Sequence, residues 1–246
     1  MKEIQVMEPV VARTRLPVVY DDNRVEYAYP PVMGTHQECF KAIKADSELR
    51  APEGIELALL THGAYNGLGL WGSVRRVFKD TFVRAPIRNL WIPKDSLEDK
   101  SLSGVLIERD IGGLGLSTKI EIPNLAEWRQ NESGVYVSSD KNQSFVPKDK
   151  YKLGEHDANS FALDGFARLV LSPEGAEIFA KTVIDAKLTP YIWGVDVDSI
   201  QNPEQRVCLL GEDGDGLSLG GYDWVDYWGV RAFGVFVSGE ASTQKN

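Results

Sequence analysis

The chain has 246 residues, 43% of them hydrophobic, which is enough to bury a substantial core, and it carries a net charge of −9. That charge argues against the basic footprint of a nucleic-acid-binding or anionic-membrane-binding protein. Two cysteines, Cys39 and Cys208, lie too far apart for a CxxC pair and are too few for a disulfide-stapled scaffold, so both are expected to be reduced and buried.

No basic-then-apolar leader opens the chain, and no stretch approaches the ~20 apolar residues that cross a bilayer, so a soluble protein without membrane insertion is expected. Leu16-Pro-Val-Val-Tyr20, with turn formers at 21–23 behind it, predicts an early strand. A helix should follow, because Thr35-His-Gln-Glu38 has capping-box spacing and Cys39, Phe40, Ala42 and Ile43 give it an apolar stripe to about Ala45. A second helix is expected from about Pro52, carrying Ile55 and Leu57 to Leu60 until Gly63 stops it.

The middle of the chain reads as β structure. Leu102–Glu108 and the alternating Leu114, Leu116, Thr118, Ile120 and Ile122, separated by a turn at 110–113, form a hairpin-like pattern. The polar run Ser138–Ser144 predicts a loop between Val135–Val137 and Phe145-Val146. A third helix is expected from Pro173 to about Ala186, with Ala176, Phe179 and Val183 on one face and Glu174 in the first turn. Tyr191–Trp193, Val207–Leu210 and Ala232–Val237 are strand-like, the last as the closing strand, and the tail from Gly239 should fray. Strands with a few helices, mostly early, and no βα alternation predict an α+β fold with antiparallel sheets.

Several motifs carry no chemistry when their context is weighed. Gly67-Leu-Gly-Leu-Trp-Gly72 has the spacing of a dinucleotide loop but follows a predicted helix with no strand feeding it. His36, His62 and His156 are isolated, His36 as a helix-start residue and the others as loop residues, and His156-Asp157 lacks a nucleophile elbow. Glu212-Asp-Gly-Asp-Gly216 is superficially like a calcium loop, yet its carboxylate series ends at Asp215. No catalytic residue, metal or cofactor is assigned.

The C-terminal quarter stands out. Between Leu188 and Gln244 nine acidic residues face only Arg206 and Arg231, a net −7 of the chain's −9. Six of the 24 aromatics, Tyr222, Trp224, Tyr227, Trp228, Phe233 and Phe236, fall within fifteen residues. Tyr222, Asp223, Asp226 and Tyr227 sit among turn formers without a clean period, as a recognition surface would, whereas the other aromatics suit a core.

Leu49-Arg-Ala-Pro-Glu-Gly-Ile-Glu-Leu-Ala58 and Gly229-Val-Arg-Ala-Phe233 resemble the helix start and closing strand of the formylglycine-generating-enzyme branch of the C-type lectin fold. Within that branch the chain looks most like the archaeal variable proteins of diversity-generating retroelements. Leu217–Arg231 has their alternation of fixed Trp, Gly, Leu and Ser with exchangeable positions, and Pro173–Lys181 and Pro203–Val207 look like their constant framework. The resemblance implies one C-type lectin-like domain over residues 1–246, with a variable ligand-binding region at 207–236.

In such systems diversified AAY codons cannot yield Glu, Lys, Gln, Met or Trp, so Glu212, Trp224 and Trp228 are implied framework. Asp213, Asp215, Tyr222, Asp223, Val225, Asp226, Tyr227, Gly229 and Val230 are implied ligand contacts, together with Gly221 unless that glycine is required by a turn. The implied function is a non-enzymatic binding protein whose partner is a protein or cell-surface molecule, on a virion or a cell. The alternatives are an attachment or structural protein with the aromatics at an oligomer interface, or an oxidase of the formylglycine-generating type. The oxidase is disfavoured because only Cys208 lies near the C-terminal region. An irregular loop from Gly211 to Tyr227 should gather the contacts on its outer side, with Trp224 and Trp228 pointing inward.

Replacing Asp223, Asp226 and Tyr227 together by Ser or Asn should change stability by no more than ~0.5 kcal/mol per site. Trp224→Ala or Trp228→Ala should cost ~3–5 kcal/mol. Equal losses in thermal unfolding of the two sets would mark the segment as packing.

Overall fold

The computed structural model describes residues 13–21, 23–110, 112–115, 117–139, 142–223 and 229–237. The early strand is β1 (Thr14–Tyr20), but its successor is a second strand, β2 (Asn23–Tyr29), paired antiparallel in a tight hairpin. A short β3 (Val32–Met33) precedes α1 (His36–Ala45), which opens on the expected box: the Glu38 amide donates to the Thr35 hydroxyl, and the Thr35 amide donates to the Glu38 carboxylate. After β4 (Leu49–Arg50) comes α2 (Gly54–Asn66), which runs through Gly63 instead of stopping there. Gly63 is a packing glycine, since a Cβ on it would stand 2.5 Å from the Trp71 indole. His62 is therefore helical, its Nδ1 3.1 Å from the Thr182 hydroxyl.

Helix α3 (Trp71–Asp80) and strand β5 (Val83–Ile92) were not expected. Strand β6 (Gly104–Arg109) matches the predicted one, but among its described residues the stretch 114–122 makes no strand. The neighbours of β6 are instead β5 and β9 (Gln143–Pro147), and the two segments flanking the expected loop at 138–144 pair as β8 (Tyr136–Val137) and β9, with β8 in turn paired to β7 (Arg129–Gln130). Beyond β10 (Gly154–Glu155) lie α4 (Ala158–Leu163), α5 (Gly165–Leu171) and the predicted α6 (Pro173–Asp185), N-capped by Ser172. His156 precedes α4, buried, between the Lys152 carbonyl and the Ser160 hydroxyl, and Asp157 caps that helix.

The chain ends in β11 (Thr189–Trp193), β12 (Glu204–Asp213), β13 (Gly216–Tyr222), β14 (Arg231–Ala232) and β15 (Val235–Phe236). The fold is α+β. The closing strand β15 lies between β2 and β4 in a four-stranded antiparallel sheet, and a larger sheet runs β10-β11-β13-β12-β5-β6-β9-β8-β7, with only β11–β13 parallel in that row.

Alternation gives the large sheet an inner and an outer face. Val83, Ala85, Ile87 and Trp91 of β5, Val105 and Ile107 of β6, Cys208 and Leu210 of β12, Leu217 and Leu219 of β13, and Ile192 of β11 enter the main core, where Phe166, Phe179 and Val183 of the helices meet them. The outer face of β5, β6 and β9 is covered by the segment after β6, with Leu90, Ile92, Leu106 and Phe145 packed on Leu97, Ile120 and Leu125.

That cover explains why 114–122 is not a strand. The Asp110 carboxylate accepts from the Leu114 amide at 2.7 Å and the Gly115 amide at 2.6 Å. Buried Arg88 donates to the Gly115 and Thr118 carbonyls and pairs with Glu108, and Gln205 donates to the same two carbonyls while accepting from the Ile120 amide. Side chains thus supply the backbone partners that a neighbouring strand would have supplied.

Asp110 also accepts from His36, Nε2 to Oδ2 3.0 Å, at a fully buried site. Burial holds the His36 imidazole below its usual pKa despite the carboxylate, so the ring is neutral with its proton on Nε2, and Nδ1 is a bare acceptor. For Asp110 burial acts upward, but the His36 bond and the two amides outweigh it and hold the carboxyl below its usual range.

Asp110→Ala leaves three donors without their acceptor and should cost about 3 kcal/mol in urea unfolding. Both depressed values make the folded state lose stability on acidification: the histidine's share as pH falls below ~6.5, the carboxylate's only below ~4. A parent protein of constant stability from pH 7 to 4.5 would contradict this assignment.

Candidate functional site

The outer face of the large sheet reaches solvent along its β10–β11 edge, at Glu155, Tyr191 and Trp193, and at Asp213 of β12, while Val207, Leu209, Ser218 and Tyr222 of the same face are buried. The pairing β11–β13–β12 sets the side chains in rows across three strands: Thr189, Gly216 and Asp213, then Tyr191, Ser218 and Gly211, then Trp193, Gly220 and Leu209. Tyr222 and Val207 form the last row, and Glu155 of β10 joins the Tyr191 row from the other side. Aromatic residues meet along this face. The Trp193 and Tyr222 rings stack at 6.0 Å and 12°, Tyr191 lies 6.0 Å from Trp193, and Phe82 lies 5.5 Å from Tyr222.

Small residues make the arrangement fit. A Cβ on Gly220 would stand 2.7 Å from that of Trp193, and one on Gly211 would enter the Phe82 ring. Tyr222 leans back along its strand so that its hydroxyl lies 2.8 Å from that of Ser218, which in turn donates to the Gly211 carbonyl at 3.0 Å. Burial pushes the Tyr222 phenol up to about 12, and the Asp213 carboxylate acts in the same direction from the other end of the face. Trp193, by contrast, keeps 41% of its surface exposed, and Tyr191 is half-buried.

The residues implied as ligand contacts divide three ways. Asp213, Asp215 and Asp223 are exposed, and Gly229 is half-buried. Gly221, Tyr222 and Val230 are buried and do not form a contact surface. Gly221 faces the core, where a Cβ would stand 2.6 Å from Asn89 Oδ1 and 2.8 Å from Trp91 Nε1; neither a turn nor a ligand requires it. Tyr222 and Val230 pack with Val207, Leu209 and Phe82. Val225, Asp226 and Tyr227, with the framework Trp224 and Trp228, lie outside the described residues.

The loop expected to begin at Gly211 is instead the β12–β13 hairpin, turning at Gly214, whose φ of +60° suits the first position of a two-residue loop. The hairpin sets Asp213 and Asp215 at one end of β13 and Asp223 at the other, ~20 Å away by strand rise. Tyr191 and Trp193 lie between them and were missed as site residues, although two aromatics at i and i+2 flanking an isoleucine signal one shared strand face.

Catalytic groupings are not evident elsewhere in the described residues. Cys39 and Cys208 are free thiols in separate core clusters, and burial raises them to about 11 and about 12, far from a reactive thiolate. Among the described residues no three His, Cys, Asp or Glu side chains gather as a metal site would require, and no helix is long and apolar enough to cross a membrane. A hollow of about 330 Å³ beside the β1–β2 hairpin has Arg24, Arg50, Glu56 and Glu174 in its lining, but Arg24 is paired with Glu26, Arg50 with Glu56, and Glu174 with the Tyr20 hydroxyl.

No family model matches the chain, and no curated protein matches it. A solved structure from the work "Accommodation of massive sequence variation in Nanoarchaeota by the C-type lectin fold" is similar at 11% identity and a TM-score of 0.45, over 94% of this chain and 99% of that one.

Gly221→Ala should cost about 1–3 kcal/mol by overpacking against Asn89 and Trp91. Tyr222→Phe should cost about 1 kcal/mol by removing the hydroxyl from Ser218. Thermal unfolding of the two variants checks both, and a neutral Gly221→Ala would return that position to the surface.

Proposed function

We propose that this chain is a non-enzymatic binding protein that meets its ligand with the outer edge of the large sheet, where Tyr191 and Trp193 of β11 and Asp213 of β12 reach solvent, together with Asp215, Asp223 and Gly229. The observation that carries this reading is Trp193, an indole 41% exposed and held in stacking contact by the buried Tyr222. Exposed aromatics fixed from beneath give a large contact area at small entropic cost on binding, which is how recognition surfaces gain affinity. The buried, protonated thiols support the non-enzymatic reading over the oxidase alternative.

The finer reading is a variable protein of a diversity-generating retroelement, built as one C-type lectin-like domain over residues 1–246. Its supports are the quoted sequence resemblance and the closing strand β15 between β2 and β4. The exchangeable set then reduces to Asp213, Asp215, Asp223 and Gly229, joined by Val225, Asp226 and Tyr227, while Gly221, Tyr222 and Val230 become scaffold. A protein or cell-surface molecule is the proposed partner class, and an oligomer interface on the same face is the competing use.

The test is a displayed library randomised at those seven positions and panned against unrelated protein targets. Most members should resist protease as the parent does, and target-specific binders should emerge. A library in which most members unfold would overturn the exchangeable-surface reading. In the genome, a near-identical repeat of the 207–236 coding segment beside a reverse-transcriptase gene is the expected sign of diversification, and its absence removes that part of the proposal.

A further inference from the structure

Two carboxylates share the open face with the aromatic pair. Glu155 stands directly across from Tyr191 in the β10–β11 pairing, so the two side chains are nearest neighbours on one face, ~5 Å apart at Cβ. Asp213 lies one row away and two strands across, on the same face by its pairing with Gly216 and Gly216's with Thr189. Both are exposed, and among the described residues neither is in an ion pair.

The basic groups around this edge leave them so. Lys152 reaches Glu155, but its ammonium donates to the backbone carbonyl at 3.1 Å, and Arg206 is turned to Glu204 at 2.9 Å. The outer-facing arginines of β5 are withdrawn from solvent: Arg84 is fully buried, and Arg88 is 3% exposed and committed to Glu108. The face therefore combines π surfaces with uncompensated negative charge in the quarter of the chain that holds −7 of its −9.

We infer that the Tyr191–Trp193 pair, flanked by Glu155 and Asp213, is a receptor for a cationic side chain, arginine or lysine, carried on an exposed segment of a partner protein. The inference rests on the binding-protein reading above and names its partner chemistry. The electron-rich indole face attracts a cation laid on it. A guanidinium does this best, because it is planar, weakly hydrated and able to donate sideways to a carboxylate while stacked. Glu155, beside Tyr191, is the near acceptor, and Asp213 supplies longer-range attraction along the strand. Tyr222 takes no direct part, since only 6% of it is exposed; it fixes the plane of Trp193 from below. The cationic site is made of β10, β11 and β12 residues, and all of them but Asp213 lie outside the exchangeable set, so Glu155, Tyr191 and Trp193 give the face a constant anchor.

The test is an NMR titration of the full chain, following the Trp193 indole Nε1–H, assigned with a Trp193→Phe variant. The probes are acetyl-(Gly-Arg)4-amide, its lysine and glutamate counterparts, and chitotriose. The arginine peptide should shift the Trp193 signal with saturation, the lysine peptide more weakly, and the glutamate peptide and chitotriose not at all. Trp193→Ala should weaken arginine-peptide binding about 5-fold, read on the remaining β11 amides, and Glu155→Gln about 3-fold.

Glu132→Gln, an exposed charge between β7 and β8 at the opposite end of the sheet, should leave binding unchanged. Arginine-peptide binding that falls equally with Glu132→Gln and Glu155→Gln, or that ignores Trp193→Ala, would reduce the effect to net charge and overturn the receptor. Saturating shifts with chitotriose or the glutamate peptide and none with the arginine peptide would overturn the cationic class while preserving the recognition face. Trp193 silent to every probe counts against the cationic anchor alone, because the library selection tests the recognition face independently.

Discussion

The structure depends on burying β5 from both sides. All ten of its residues are buried, although four of them, Arg84, Pro86, Arg88 and Asn89, are residue types that a strand interior resists. The inner face meets the helices through Val83, Ile87 and Trp91. On the outer face Arg88 is satisfied by Glu108 and by two carbonyls of the segment after β6, which Asp110 and Gln205 pin to the sheet. Pro86, which has no N–H to give, sits where the β5–β12 register shifts, and its carbonyl accepts from the Asp110 amide at 2.7 Å. Remove that polar clamp and the outer cover of β5, β6 and β9 loses the side-chain partners that tie the backbone of 114–120 to the sheet.

The clamp also decides where a ligand can bind. The covering segment spreads over β5, β6 and β9, and at the other end of the same sheet the outer face is left to Phe82, Tyr222 and Val230, with half-buried Tyr191 and exposed Trp193 beyond them. An antiparallel sheet with one face on a core and part of the other open to water is a stable arrangement. The open part here carries an aromatic pair and two carboxylates, Glu155 and Asp213, that are in no ion pair among the described residues. Gly211 makes room for the Phe82 ring and Gly220 for the close approach of the Trp193 backbone, so the packing beneath the surface is set before any partner arrives.

Local signals in the sequence led to the right elements where the chemistry is local. Thr35 and Glu38 cap α1 as their spacing requires, Pro173 opens α6, and Ala176, Phe179 and Val183 face the core. Strand β5 was illegible because a strand buried on both faces shows no alternation, and its Arg88 finds partners 20 to 30 positions away. The alternation at 114–122 was real but served a covering segment whose backbone bonds go to side chains.

At the site, the acidic and aromatic richness of the C-terminal quarter marked a region in which three of the named positions, Gly221, Tyr222 and Val230, are buried. Gly221 lies on the inner face of β13, and Tyr222, although on the outer face with Asp213, is buried with Val230 against Val207, Leu209 and Phe82; both facts follow from the neighbouring strands and not from local pattern. Tyr191 and Trp193 announce a shared face by their spacing, yet only the packed structure shows that Trp193 stays exposed on it.

The central claim is that Trp193 is held at the surface for contact and not for packing. Protease resistance of every single substitution from 189 to 222, read in one displayed library, measures this directly. Polar residues at Tyr191 and Trp193 should lower stability by about 1 kcal/mol or less, while the same residues at Tyr222 or Leu219 should cost about 3 kcal/mol or more. Trp193 as intolerant as Tyr222 would show that its ring belongs to the core, and the recognition face would lose its anchor.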